Sequence, residues 1–328
     1  MKKIAVIGAG AWGSALAIHL ANNGNDVTIY SHEDDVISEL QRKRKNSRYF
    51  PNHLFPKQLA AKSIKDFDPS IDYLLNVVPT QYVRDFYTNN IDLKNISVIN
   101  CSKGIEIKSL KTLSSVFIDE LGVDPHNYAV LTGPSHAEEV VEKKPTTVVC
   151  ASYDLDNANS IQKIFSNNHF RAYTSNDIRA CEIGGALKNV IAIASGIVDG
   201  LNMGDNTKAA LMTRGLAEIT RLGVAYGADE NSFAGLSGLG DLIVTCYSGF
   251  SRNRKVGELL AKGISLSEIN DTYEFVAEGV PTSKAVIALA ATVNVEMPIS
   301  NEINEILFNN KSPYDAVKDL MTRSFTSE

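Results

Sequence analysis

A lysine set among glycines is the first place in this chain where chemistry suggests itself. Lys188 lies in Gly184-Gly185-Ala186-Leu187-Lys188-Asn189, within a stretch that predicts one long helix over Asp177–Asp199, with Asn176 as its candidate N-cap. At helical spacing Cys181, Gly184, Gly185, Lys188, Ala192 and Ser195 share a face. Two adjacent glycines inside a helix cost about 1 kcal/mol each relative to alanine, so packing or function must explain them. All the neighbours of Lys188 on that face are small, which predicts close packing against another element. Burial there would favour the neutral amine, the form a general base needs to take an alcohol proton. The bland reading of the same residue is a lysine snorkelling from a helix edge.

Three further segments carry candidate groups. Asp241 follows the glycine-rich run Gly235-Leu236-Ser237-Gly238-Leu239-Gly240, where its carboxylate could bond a lysine or a substrate hydroxyl. Beyond it, Ser251-Arg252-Asn253-Arg254 places a candidate N-cap before two donors in a first helical turn. Arginine is disfavoured at that end of a helix dipole, and a bound phosphate would offset the cost. Without a ligand the run is an exposed basic turn. Asn100-Cys101-Ser102-Lys103-Gly104 and Gly133-Pro134-Ser135-His136-Ala137 each follow a strand. Lys103 is therefore either a ligand-facing amine or a solvated loop residue. Ser135 is either a ligand-facing hydroxyl or merely an N-cap.

Gly8-Ala9-Gly10-Ala11-Trp12-Gly13 matches G-x-G-x-x-G, weak alone but placed directly after a strand and at the opening of a helix. That helix ends near Asn23-Gly24, a C-cap pair, and a second strand follows, completing a βαβ unit. Gly8 serves the tight turn, Gly10 the approach of backbone to a pyrophosphate, and Gly13 close helix–strand packing. The implied cofactor is NAD or NADP. The second strand ends at Tyr30-Ser31-His32, with Glu33, Asp34 and Asp35 just beyond and no arginine in that stretch. The choice between the two nucleotides stays open.

The elements that must position these residues change character along the chain. Strands are predicted at Lys3–Ile7, Asp26–Tyr30, Tyr73–Val78, Ile96–Cys101, Tyr128–Leu131 and Thr146–Ala151, with helices such as Gly10–Asn22 and Leu110–Leu121 between them. Short apolar strands without polar alternation belong to a sheet covered on both faces. The second half predicts helices at Asn206–Tyr226, Arg252–Lys262, Thr282–Val293, Asn301–Phe308 and Tyr314–Met321. The expected fold class is α/β, a Rossmann-like doubly wound sheet at residues 1–175 followed by an all-helical domain at 176–328.

Bulk properties narrow the partners. With 328 residues, about two domains are expected. A formal net charge of −6 argues against nucleic acid. An anionic ligand would need a local cluster of donors. Cys101, Cys150, Cys181 and Cys246 are scattered, which argues against a zinc site or disulfide framework and fits buried, reduced thiols. No metal is expected. No stretch approaches the roughly 18 apolar residues of a membrane span, and a strand starts too early to leave room for a signal peptide. A cytoplasmic protein is expected. The basic run Gln41–Lys45 reads as a solvated helix face.

Taken together, G-A-G-A-W-G-S-A-L-A (8–17), N-V-V-P-T (76–80), S-K-G-I-E (102–106), L-T-G-P-S (131–135), A-L-K-N-V (186–190), G-L-G-D-L (238–242), S-R-N-R (251–254) and V-A-E-G-V (276–280) resemble the bacterial-type NAD(P)-dependent glycerol-3-phosphate dehydrogenases over essentially the whole chain. The resemblance implies Lys188 as proton acceptor, with Lys103 and Asp241 orienting it. It implies substrate contacts from Lys103, Gly133, Ser135, Lys188, Asn189, Asp241, Ser251, Arg252 and Asn253, the phosphate falling to Arg252 and Asn253. The dinucleotide would be lined by Ala11, Trp12, His32, Lys103, Ala137, Arg252, Val276 and Glu278 beside the glycines. A homodimer supplying phospholipid precursor is also implied. Competing expectations are another two-domain hydroxyacid or ketoacid reductase, and a non-catalytic NAD(P)H-binding sensor.

Overall fold

Lys3–Ile7 forms β1, and its four apolar residues are almost wholly buried. The chain then alternates as expected in this computed structural model, which describes residues 1–273 and 275–324. The strands that follow are β2 (Asp26–Ser31), β3 (Ala60–Ser63), β4 (Tyr73–Asn76), β5 (Val98–Asn100), β6 (Tyr128–Thr132), β7 (Thr146–Ser152) and β8 (Phe170–Ser175). The helices between them are α1 (Ala11–Asn22), α2 (Asp34–Lys43), α3 (Val83–Asn90), α4 (Leu113–Ser115), α5 (Ala137–Val141) and α6 (Leu155–Phe165).

The eight strands form one sheet in the order β3-β2-β1-β4-β5-β6-β7-β8. Neighbours are parallel throughout except β6 and β7, which are antiparallel. β7 and β8 therefore run together against the other six. The order reverses between β1 and β4, and the strand ends that flank this switch point form the crevice where open α/β sheets bind ligands.

Two strands escaped the sequence reading, β3 and β8. Both are edges. β3 is Ala-Ala-Lys-Ser, poor in β-formers, and β8 alternates buried Phe170 and Ala172 with exposed Arg171 and Tyr173. The predicted helix over Leu110–Leu121 is a correction: α4 occupies one turn and continues as a π-helical turn at Val116–Glu120.

The chain divides into two compact units. The first comprises Met1–Lys103 with Lys111–Cys181; the second comprises Gly104–Leu110 and the chain from Glu182 onward. The composition change at 175/176 thus precedes the packing boundary, because the first turn of the next helix still packs with the sheet unit.

The second unit is helical: α7 (Ile178–Gly200), α8 (Asp205–Ala225), α9 (Asp241–Tyr247), α10 (Arg252–Ala261), α11 (Leu266–Thr272), α12 (Gly279–Thr292), α13 (Pro298–Phe308) and α14 (Pro313–Met321). Asp177, rather than Asn176, caps α7, its Oδ1 accepting from the Ala180 amide at 2.9 Å. Helix α7 is buried along most of its length, so the core of the unit forms around it. Where α10 crosses it, a Cβ on Gly257 would lie 1.9 Å from the Ile193 carbonyl oxygen, and one on Gly196 would lie 1.9 Å from that of Arg254. The two backbones touch directly there. Among the described residues α7 alone is long and apolar enough to cross a membrane, and its apolar window is wholly buried inside the protein.

Candidate active site

In the sheet unit, the turn after β1 is built on close contacts. Gly8 has φ +113°, and a Cβ on it would meet the Val77 carbonyl oxygen at 3.0 Å. A Cβ on Gly13 would overlap the Gly8 carbonyl oxygen at 2.0 Å, so only glycine lets α1 sit against β1. Nothing lies within 4 Å of a Cβ built on Gly10. That open space above the start of a 12-residue helix is what a pyrophosphate needs. The glycine turn therefore fits a dinucleotide. Ala11 is buried, Trp12 half-buried and His32 exposed at the end of β2.

The carboxyl ends of β4, β5 and β6 lie on the same edge. Asn76 ends β4, Asn100 ends β5, and both are fully buried. Asn76 Nδ2 donates to Asn100 Oδ1 at 2.8 Å, and the Tyr87 hydroxyl donates to Asn76 Oδ1 at 2.9 Å. Ser102 Oγ donates to the Val78 carbonyl at 2.6 Å. This network ties the loop carrying Lys103 to its neighbour. Lys103 Nζ reaches the Gly133 carbonyl at 3.3 Å, and Ser135 Oγ donates to the same oxygen at 3.0 Å. Gly133 adopts φ +132° with no room for a Cβ, which would stand 3.0 Å from Val148 Cα. The N-cap of α5 is His136, without a side-chain bond, so Ser135 does not cap that helix. Ala137 opens it and is buried.

In the helical unit, Lys188 is 7% exposed and sits on the small-residue face of α7. The face packs against the run that ends at Asp241: a Cβ on Gly184 would stand 2.9 Å from the Ser237 carbonyl oxygen. Lys188 Nζ lies 2.9 Å from Asp241 Oδ1 and donates to Thr245 Oγ1 at 2.7 Å. Thr245 Oγ1 in turn donates to the Asp241 carbonyl at 2.6 Å, one helical turn back. Asp241 is 1% exposed. The amine, the carboxylate and the Thr245 hydroxyl thus form one buried, hydrogen-bonded group. The snorkelling reading is excluded by the burial.

The residues expected to meet an anion lie on neighbouring elements of the same unit. Ser251 caps α10, its Oγ accepting from the Arg254 amide at 3.2 Å, as expected. Arg252 is half-buried and Asn253 buried. Asn253 Nδ2 donates to Asn189 Oδ1 at 2.9 Å, and Asn253 Oδ1 accepts from the Gly279 amide at 2.9 Å. Asn189 next to the lysine, Asn253 on α10 and the start of α12 are thus one bonded group. Glu278 precedes α12, while Val276 is exposed on the approach to it. The predicted residues fall into two sets, one on the sheet edge and one around Lys188. Sequence reading missed Thr245 and the Asn76–Asn100–Tyr87 network. Thr245 stood four residues after Asp241, and two asparagines closing apolar strands were a legible signal. Among the described residues no cluster of three or more His, Cys, Asp or Glu could hold a metal ion.

A dinucleotide-type sheet and a helical unit with a buried lysine–carboxylate–hydroxyl cluster define the class of two-unit dehydrogenases. The comparisons make this specific. The profile of the NAD-dependent glycerol-3-phosphate dehydrogenase N-terminus matches residues 3–158, and that of its C-terminus matches residues 177–318. The chain belongs to this family. It is 48% identical over 324 residues to the glycerol-3-phosphate dehydrogenase, NAD(P)+, of Prosthecochloris aestuarii, covering 98% of each chain. A protein of the same name from Lysinibacillus sphaericus is 47% identical, covering 98% of this chain and 97% of the other. The crystal structure of glycerol-3-phosphate dehydrogenase from Coxiella burnetii superposes with a TM-score of 0.93 at 37% identity, covering 98% and 99%.

Proposed function

We propose that this protein interconverts sn-glycerol 3-phosphate and dihydroxyacetone phosphate with NAD(P)(H). The observation that carries the reading is the buried Lys188 held by Asp241 and Thr245, with Asn189 joining it to the Asn253 end of the anion site. When bound, the nicotinamide supplies or accepts the hydride at C2. The chain's own residues do the rest. Arg252, Asn253 and the positive end of the α10 dipole hold the phosphate. That anchor fixes C2 relative to Lys188, converting much of the binding energy into orientation. In reduction the Lys188 ammonium donates its proton from Nζ to the developing alkoxide. In oxidation the neutral amine takes the hydroxyl proton at C2. Asp241 stabilises the ammonium between turnovers, and Thr245 Oγ1 aims Nζ by accepting a hydrogen bond from it.

The glycine turn, Ala11, Trp12 and His32 would hold the dinucleotide, with Lys103 and Ala137 at the neighbouring strand ends of the sheet unit. In the helical unit Ser251 would join Arg252 and Asn253 at the phosphate. Four buried free cysteines fit a reducing compartment. A cytoplasmic homodimer supplying a phospholipid precursor is the biological role that follows from the reading.

The test is oxidation of NADH and NADPH by dihydroxyacetone phosphate, followed optically. Lys188→Ala should remove turnover while nucleotide binding persists. Lys188→Arg keeps a cation opposite Asp241 but cannot release its proton, and should be equally inactive. Normal turnover in either variant rejects the assigned base. Wild-type protein that reduces a β-keto acid or ketopantoate in preference, or consumes no nucleotide with any ketone, rejects the reading.

A further inference from the structure

Packing gives no reason for two asparagines in the middle of this sheet. Asn76 and Asn100 stand opposite one another in the β4–β5 register, each wholly buried. The residues before them, Leu74, Leu75, Val98 and Ile99, are apolar and equally buried. A buried amide costs free energy unless its polar atoms are bonded, and apolar side chains would fill the space without that cost. The pair stands, however, at strand ends beside the switch point of the sheet.

Backbone amides fix which way both side chains face. The Val78 amide can only donate, so the Asn76 atom it meets at 3.3 Å is Oδ1. The Ser102 amide likewise makes the Asn100 atom at 3.2 Å its Oδ1. Asn76 Nδ2 must then donate to Asn100 Oδ1 at 2.8 Å, and Asn100 Nδ2 to the Ser102 carbonyl at 3.1 Å. On the far side the hydroxyl of Tyr87 on α3, a residue 1% exposed, donates to Asn76 Oδ1 at 2.9 Å. The bonds therefore run in one direction, from Tyr87 through Asn76 and Asn100 to the peptide of Ser102. With Ser102 Oγ donating to the Val78 carbonyl, the amide, carbonyl and hydroxyl of Ser102 are all held. The next residue is Lys103, half-buried, whose amine stands 3.3 Å from the Gly133 carbonyl.

We infer that Tyr87, Asn76 and Asn100 are positioning residues for Lys103, fixing the backbone from which its amine reaches the carboxyl edge of the sheet. The inference rests on the proposed dehydrogenase reading, in which Lys103 meets the substrate, and adds what holds it there. A lysine side chain carries large rotamer entropy, so its amine is ready for an anionic substrate only when the stem starts from a fixed Cα. Deleting the Tyr87 hydroxyl removes the first link and leaves Asn76 Oδ1 on the Val78 amide alone, while the ring can keep its edge contact with Phe117.

Tyr87→Phe should lower kcat/KM for dihydroxyacetone phosphate about fivefold, the loss of one hydrogen bond, at a temperature well below unfolding. In a Lys103→Met background the same substitution should change kcat/KM by less than about twofold, because a residue acting through Lys103 has nothing left to act on. Equal factors in the two backgrounds mark a merely structural hydroxyl and overturn the inference, as does full activity in Tyr87→Phe. Trace acetylation of the full chain, read peptide by peptide by mass spectrometry, needs neither ketone nor nucleotide. Relative to the exposed Lys94, Lys103 should acetylate several-fold faster in Tyr87→Phe than in the parent. Asn76→Asp, which sets two oxygens against each other across the strands, should act in the same way. An unchanged Lys103 rate in both variants overturns the inference. Faster acetylation in a chain that reduces no dihydroxyacetone phosphate would count against the dehydrogenase reading alone.

Discussion

Thr245 holds the amine that we propose as the base. It accepts from Lys188 Nζ at 2.7 Å and lies 3.4 Å from Asp241 Oδ1, so it sets the direction of the amine. Thr245→Val keeps the shape and deletes the acceptor. One hydrogen bond to a charged group is worth about 1.5–3 kcal/mol, so kcat should fall at least about tenfold. The KM for nucleotide should stay put, and stopped-flow measurement of single turnovers checks it. Unchanged kcat would remove Thr245 from the proton-handling group. Arg252→Ala belongs to the same scale. It should raise the KM for dihydroxyacetone phosphate while leaving nucleotide affinity nearly intact, and an unchanged KM would count against its phosphate role.

At the scale of elements, the distance between the proposed base and the proposed anion clamp is set by how α7 meets α10. Lys188 and Asn189 lie on α7, Arg252 and Asn253 on α10, and the two helices touch backbone to backbone at Gly196 and Gly257. A Cβ on Gly257 would also stand 2.8 Å from the Ile197 amide nitrogen, so no side-chain motion can relieve it. Gly257→Ala should lower unfolding stability by about 2–3 kcal/mol, the upper range for overpacking, read as a shift in denaturant midpoint. Any folded fraction should be less active toward the phosphorylated ketone. Asp199 reinforces this crossing, its carboxylate bonding Arg254 Nε at 2.6 Å and Lys208 Nζ at 2.8 Å. A denaturation midpoint unmoved by Gly257→Ala would show that the helices can slide apart at no cost.

At the scale of the molecule, stability carries a titration of its own. Glu218 on α8 is fully buried and caps α13, accepting from the Ile299 amide at 2.8 Å and the Ser300 amide at 3.3 Å. Burial pushes its carboxyl up to about 7, against the lowering effect of those amides. A group raised in the folded state stabilises fully below its unfolded value and loses that contribution as pH rises through the folded one. Between about pH 4.5 and 7 the loss approaches roughly 3 kcal/mol. Glu218→Gln should therefore flatten the fall in Tm over that interval and leave the variant more stable than the parent at about pH 8. Parallel Tm profiles for the two proteins would show that Glu218 does not titrate there. The thiols play no such part: burial raises Cys101 and Cys150 strongly and pushes Cys246 up to about 12, so they remain inert.

Local patterns determined a great deal. Turn chemistry at Gly8, Gly10 and Gly13, the cap at Ser251, and the small face around Lys188 are all short-range facts, dictated by sterics over a few residues. They were enough for six strands, the long helices and the two groups of site residues. What tertiary structure alone decided lies between segments far apart in sequence. Edge strand β3 exists because a neighbouring strand offers its backbone, not because Ala-Ala-Lys-Ser favours extension. Thr245 joins Lys188, Asn253 joins Asn189, and Asn100 joins Asn76 because packing of whole elements delivers them there. Hydrogen bonds and ion pairs act over about 3 Å, whereas the partners here are separated by up to 64 residues of chain. Composition and spacing cannot carry that information. Only the packing of helix against helix and loop against sheet can.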